Sequence, residues 1–143
     1  MKLTDSEGQE WQWDSESGRR VVLYFYPKDD TPGCTIQAQE FSQLKAAFAK
    51  LNTVVIGVSR DSVKSHGKFR DKYKLKINLL SDEAEKACQL FDVIKEKNMY
   101  GKKVIGIERS TFLLDEGGTL LKEWRKVKAA GHAEMVRQYI LSL

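Results

Sequence analysis

Val21-Val22-Leu23-Tyr24-Phe25-Tyr26-Pro27-Lys28-Asp29-Asp30-Thr31-Pro32-Gly33-Cys34 reads as a strand, a turn and the start of a helix. The first six residues are all apolar or aromatic, the pattern of a strand covered on both faces of an α/β sheet. Pro27 ends it, because proline has no N–H for the ladder. Lys28-Asp29-Asp30 is a polar turn. Thr31 suits an N-cap and Pro32 the first helical position. Cys34 then falls in the first helical turn. Unpaired N–H groups and the helix dipole favour a thiolate there.

The 143 residues predict one domain, 1–143, with enough chain for a real core. Hydrophobic content of 41% and charged content of 31% fit a water-soluble globular protein, and no apolar run reaches the ~18 residues of a membrane span. Residues 1–18 are polar with isolated aromatics and do not form a basic-then-apolar signal segment, so a cytoplasmic location is expected. The net charge of +4 is spread among acidic residues. Nucleic-acid binding is therefore not the favoured reading. Lys122, Arg125, Lys126 and Lys128 form the most basic stretch and read as a solvated strand end. Two distant cysteines make neither a disulfide framework nor a zinc site.

Trp11 and Trp13 alternate with polar neighbours, as in a short strand or hairpin arm. Beyond Cys34, the residues Phe41, Leu44, Phe48 and Leu51 recur at helical spacing. Residues 54–58 predict a second buried strand. Asp61 or Ser62 caps a helix whose apolar side holds Val63, Phe69 and Tyr73. Residues 77–80 predict a short strand, and Ser81 the cap of a helix with Ala84, Ala87, Cys88 and Phe91 on one face. Residues 93–100 read as a charged connection and 101–106 as a turn region with at most a short strand. Residues 109–115 and 119–125 predict strands joined by a Glu116-Gly117-Gly118 hairpin turn. Gly131 precedes a final helix with Val136, Ile140 and Leu143 on its core side.

Pro27-xxx-Thr31-xx-Cys34 resembles the signature of the peroxiredoxins. Phe25-Tyr26-Pro27-Lys28-Asp29 with Thr31-Pro32-Gly33-Cys34-Thr35 is similar to their bacterioferritin-comigratory-protein, or PrxQ, subfamily. Further matching segments are Leu79-Leu80-Ser81-Asp82, Met99-Tyr100-Gly101-Lys102, residues 106–112, and Trp124-Arg125-Lys126-Val127-Lys128 with Gly131-His132. The order strand–helix–strand–helix, then hairpin and helix, allows an α/β domain. The resemblance implies a thioredoxin-like fold, a central mixed sheet flanked by helices. It further implies reduction of hydrogen peroxide and organic hydroperoxides without metal or organic cofactor. Thioredoxin, glutaredoxin or a low-molecular-weight thiol would be the reductant, and the chain a monomer or weak homodimer.

Under that resemblance Cys34 is the peroxidatic nucleophile, becoming sulfenic acid. Thr31 donates a hydroxyl to the peroxide or serves as a plain N-cap, and both can hold at once. Pro27 shields the site or merely ends the strand. Arg109 is the arginine peroxiredoxins bring from a later strand; on position alone it reads as a surface ion pair. Cys88 reads as a core thiol or as a resolving cysteine. The subfamily's usual resolving position, five residues after the first cysteine, is Gln39 here. The alternative position, near Lys68-Phe69-Arg70, holds no cysteine either. A one-cysteine enzyme resolved by an external thiol is therefore expected, with a two-cysteine cycle through Cys88 as the alternative. His66 and His132 read as solvated or capping. A thiol–disulfide oxidoreductase would want a second cysteine at Thr31. A chaperone-like module without catalysis is the remaining alternative.

Overall fold

The computed structural model describes residues 2–143, apart from the side chains of Trp13 and Met99. The order is β1 (Lys2–Asp5), β2 (Glu10–Gln12), a 3-10 turn (Trp13–Glu16), β3 (Arg20–Phe25), α1 (Pro32–Gln43), α2 (Lys45–Lys50) and β4 (Thr53–Ser59). Then come α3 (Val63–Tyr73), β5 (Asn78–Ser81), α4 (Lys86–Leu90), β6 (Ile94–Met99), β7 (Lys102–Ile107), β8 (Ser110–Leu114), β9 (Leu120–Trp124) and α5 (His132–Leu141). Seven strands form one sheet in the order β2-β1-β5-β4-β3-β8-β9, and β6 pairs only with β7. β3, β4 and β5 are parallel; β8 runs antiparallel to β3. This is the mixed, helix-flanked sheet that the family resemblance implies.

The alternation along β3 divides the core in two. Val22, Tyr24 and Tyr26 point to one face, with Phe41, Phe48, Phe69, Val136 and Ile140 from the helices. Val21, Leu23 and Phe25 point to the other, with Leu3, Trp11, Cys88, Val93 and Ile107. β3 is buried along its whole apolar run, as a two-sided strand requires. Each buried phenylalanine contributes roughly 1.5–3 kcal/mol. Gly57 on β4 lies under Tyr24: a Cβ there would sit 2.8 Å from Tyr24 Cζ. Only glycine lets that ring cross the neighbouring strand.

The structure departs from the sequence reading in several places. The helix expected to run through Phe41 and Leu51 breaks at Leu44 into α1 and α2, and Leu44 and Leu51 are only partly buried. The charged 93–100 stretch is no mere connection but holds β6, which pairs with β7, the short strand allowed at 101–106, in a hairpin. Ser81 does not cap α4; its hydroxyl donates to Asp61 O at 2.6 Å. Asp82 accepts the N–H groups of Lys86 and Cys88, both at 2.8 Å. A carboxylate so placed satisfies two first-turn donors. Ala84 is exposed and precedes the helix. Arg125 is not simply solvated: it donates to the carbonyls of Asp92 and Phe91 at 2.7 and 2.9 Å and lies over the Phe112 ring. Trp11 is buried on β2, while the Trp13 side chain falls outside the described residues.

Candidate active site

Antiparallel pairing brings the distant arginine to the cysteine. Phe25, the last residue of β3, pairs with Ser110, the first of β8. Arg109 therefore emerges beside the turn that follows β3. Its carbonyl accepts from Val127 N at 2.9 Å, which anchors the backbone there. Arg109 Nη2 donates to Cys34 Sγ at 3.3 Å, and Nη1 to Gln37 Oε1 at 2.6 Å. A rigid planar fork can hold both at once. Gly33 gives it room: a Cβ there would lie 3.1 Å from Nη2.

Cys34 is 1% exposed and packs in the Tyr24–Phe41 cluster. It occupies the first turn of the twelve-residue α1, behind Pro32. The N–H groups of Gly33 and Cys34 have no helical carbonyl to meet. Together with the guanidinium they gather hydrogen-bond donors around the sulfur. Thr31 holds the N-cap position, but its hydroxyl donates to Lys28 O at 2.8 Å and makes no cap bond. Half-buried Pro27 lines an open groove with Arg109, Lys97, Lys126 and Val127. Arg109 thus meets Cys34, Pro27 lines a groove with Arg109, Thr31 stands at the start of the same helix, and Cys88 lies apart. Cys88 is fully buried in the cluster on the opposite face of the sheet, and burial, then Asp82, pushes its thiol well up.

Several residues around the site were missed from sequence. Gln37, one turn beyond Cys34, is fully buried; its Oε1 receives Arg109, and its Nε2 has no partner. The Tyr24 hydroxyl is likewise unpartnered, and burial holds it well above the ordinary phenol range. The spacing Cys34-xx-Gln37 was the signal available, since i and i+3 share a helix face. The two histidines are not solvated. His66 is completely buried between Asp29 and Leu80 O. Asp29, Asp61 and His66 place ligand-type atoms within 4.8 Å of one another, the one such group among the described residues. Those atoms are already hydrogen-bonded within the cluster and to Ser59 and Ser65.

His132 is also buried, with Nε2 2.8 Å from Thr111 Oγ1 and its ring edge-on to Trp124 and Phe41. Burial, helped by the charge of Arg109, lowers its pKa to about 4. Between pH ~6.5 and that value the unfolded chain binds a proton that the folded chain does not. Stability is therefore full above pH ~6.5, falls with pH across this window, and is level below it. From pH 7 to pH 5 the loss from this residue is about 2 kcal/mol. Urea unfolding of wild type and His132→Asn at both pH values checks it: the variant is expected to lack that part of the pH dependence. Equal pH dependence in both proteins rules it out.

The AhpC/TSA family model matches residues 1–122. Peroxiredoxin Bcp of Xanthomonas campestris is 52% identical over 136 residues, covering 95% of this chain and 85% of that protein. Peroxiredoxin Bcp of Bacillus subtilis is 48% identical over 132 residues, covering 92% and 84%. A solved structure of the Xanthomonas campestris bacterioferritin comigratory protein, described for its alkyl peroxide reduction activity, superposes with a TM-score of 0.95. It shares 48% identity and covers 99% of this chain and 90% of that one. By the family model over most of its length and by relatives at about half identity, the chain belongs to the AhpC/TSA family, in its Bcp/PrxQ peroxiredoxin branch.

Proposed function

We propose that this chain is a thiol-dependent peroxidase that reduces hydrogen peroxide and organic hydroperoxides through Cys34, in a one-cysteine cycle closed by an external thiol. The observation that carries the reading is Arg109 Nη2, 3.3 Å from Cys34 Sγ at the start of α1. The alkyl peroxide reduction named for the Xanthomonas protein supports it. In the first step the Cys34 thiolate attacks one peroxide oxygen. The S–O bond forms, the O–O bond breaks, and its electron pair leaves on the other oxygen. That oxygen takes a proton from solvent to become water or alcohol, and the sulfur, oxidised by two electrons, becomes sulfenic acid.

Arg109 and the first-turn N–H groups stabilise the charge spread over sulfur and both oxygens. Thr31 turns its hydroxyl from Lys28 O toward the peroxide. Pro27 helps keep water from the sulfur. One external thiol then forms a mixed disulfide with Cys34, releasing water. A second thiol attacks that disulfide and returns the Cys34 thiolate. Thioredoxin, glutaredoxin or a small thiol fits this role. Residues 1–143 act as one thioredoxin-like domain, placed in the cytoplasm; no described helix is long and apolar enough to cross a membrane.

The opposite-face placement of Cys88 favours the one-cysteine cycle over the two-cysteine alternative, since an internal disulfide needs Cα atoms within about 7 Å. Thr31 in place of a second cysteine disfavours a disulfide oxidoreductase. Intact mass after one equivalent of hydrogen peroxide tests the reading. The expected product gains one oxygen on Cys34. A loss of two hydrogens instead would support the Cys88 cycle, and an unchanged mass would remove the peroxidase reading.

A further inference from the structure

The turn at residues 28–30 decides where α1 starts, and so where Cys34 sits. Its own two adjacent carboxylates, Asp29 and Asp30, are held by side chains of α3. Exposed Asp30, in the left-handed region at φ 56°, accepts from Lys72 Nζ at 2.8 Å and from the Tyr73 hydroxyl. Asp29 turns inward and is buried. Its carboxylate accepts from the Tyr26 hydroxyl at 2.6 Å and Ser65 Oγ at 2.8 Å, and lies 2.7 Å from His66 Nδ1. The backbone N–H of Asp29 donates to Asp61 Oδ2 at 2.9 Å.

The His66 ring is strung between this turn and the sheet. Its Nε2 lies 2.9 Å from Leu80 O on β5. A carbonyl only accepts, so Nε2 carries a proton. Nδ1 faces the Asp29 carboxylate at 2.7 Å. No step of the proposed chemistry uses this pair. It is fully buried and costly to leave half-satisfied, so it is a strong fastener for the turn it holds.

The two half-reactions ask different things of that turn. The peroxide step wants sulfur, Arg109 and the first-turn N–H groups held in register around a small molecule. The thiol step wants access: a reducing thiol brings its own substituents to a sulfur that is 1% exposed. We propose that His66 is a positioning residue that holds the Cys34 turn closed through Asp29, favouring the peroxide step and restraining entry of the reducing thiol. The inference rests on the Cys34 peroxidase reading.

Two variants separate the contacts of the ring. His66→Gln keeps a donor near Leu80 O and gives up the one at Asp29. His66→Asn keeps a donor at the Nδ1 position. Sulfenic acid formation is followed by quenched-flow intact mass after mixing the reduced chain with hydrogen peroxide. The thiol step is followed by mixing the oxidised chain with 5-thio-2-nitrobenzoate, whose colour is lost as the mixed disulfide forms and water leaves. For His66→Gln the peroxide step is expected to slow about tenfold and the thiol step to speed up several-fold. His66→Asn is expected within about twofold of wild type in both. Ser65→Ala removes one donor to Asp29 and is expected to shift both rates the same way by less; it decides the matter if His66→Gln does not fold. Both rates falling together, or neither moving, overturns the inference. A wild-type chain that forms no sulfenic acid overturns the peroxidase reading itself, and this one with it, before any variant is made.

Discussion

Cys34→Ser is expected to abolish peroxide reduction, a fall of at least about a thousandfold, while Cys88→Ser retains most of the wild-type rate. Serine at 34 keeps the size and place of the side chain but offers a hydroxyl that stays protonated at neutral pH. The donors around it, Arg109 and the first turn of α1, then face an atom that cannot attack. Cys88 lies across the sheet among Leu23, Phe25 and Val93, fully buried, with its thiol pushed up by burial. Serine there leaves a smaller side chain in the cluster beside Asp82 and costs about 1–2 kcal/mol of stability without touching the site. Peroxide consumption with an excess of small-thiol reductant, read beside a denaturant melt, separates the two effects. A Cys88→Ser protein that folds and yet turns over no peroxide with any thiol donor would sink the one-cysteine cycle.

Arg109→Ala is expected to slow sulfenic acid formation about a hundredfold to a thousandfold, with little change in the thiol step. The guanidinium is the one charged donor on Cys34 Sγ among the described residues, and its other arm is fixed by Gln37. Arg109→Lys is expected to recover only part of the rate. A lysine ammonium has no planar fork, so it cannot satisfy Gln37 Oε1 and the sulfur in the same geometry. Quenched-flow mass measurement of the first step, under excess peroxide, gives the rate directly. An unchanged rate in Arg109→Ala would take the residue out of the chemistry and leave it a structural link between β8 and α1.

The β3 strand, its proline stop and the start of α1 were legible because each is a local event. Val21 to Phe25 is uniformly apolar, and Pro27 and Pro32 each act on their own backbone. The sheet that brings Arg109 to Cys34 was legible only through family likeness, since the two lie 75 residues apart and no periodicity joins them. The β6–β7 hairpin escaped notice for a different reason. Lys95, Glu96, Lys97 and Asn98 are charged or polar, and the pair lies outside the main sheet. Its strands are set by pairing with each other more than by burial. His66 and His132 were read as solvated or capping because a histidine on a lysine-rich helix, or at a helix start, usually is one or the other. Their partners, Asp29 and Thr111, come from elsewhere in the chain. Ser81 lost its cap to Asp82 next door, a contest of one residue that composition does not decide.

The placement of the two sulfurs on opposite sides of β3 has a consequence for how such a protein would be wired into a cell. In the one-cysteine cycle proposed above, the sheet keeps the two thiols apart, and electrons for Cys34 arrive from another molecule each time. Turnover then follows the supply of donor thiols as closely as the supply of peroxide. When donors run short, the oxidised form accumulates, and the chain keeps a record of the imbalance.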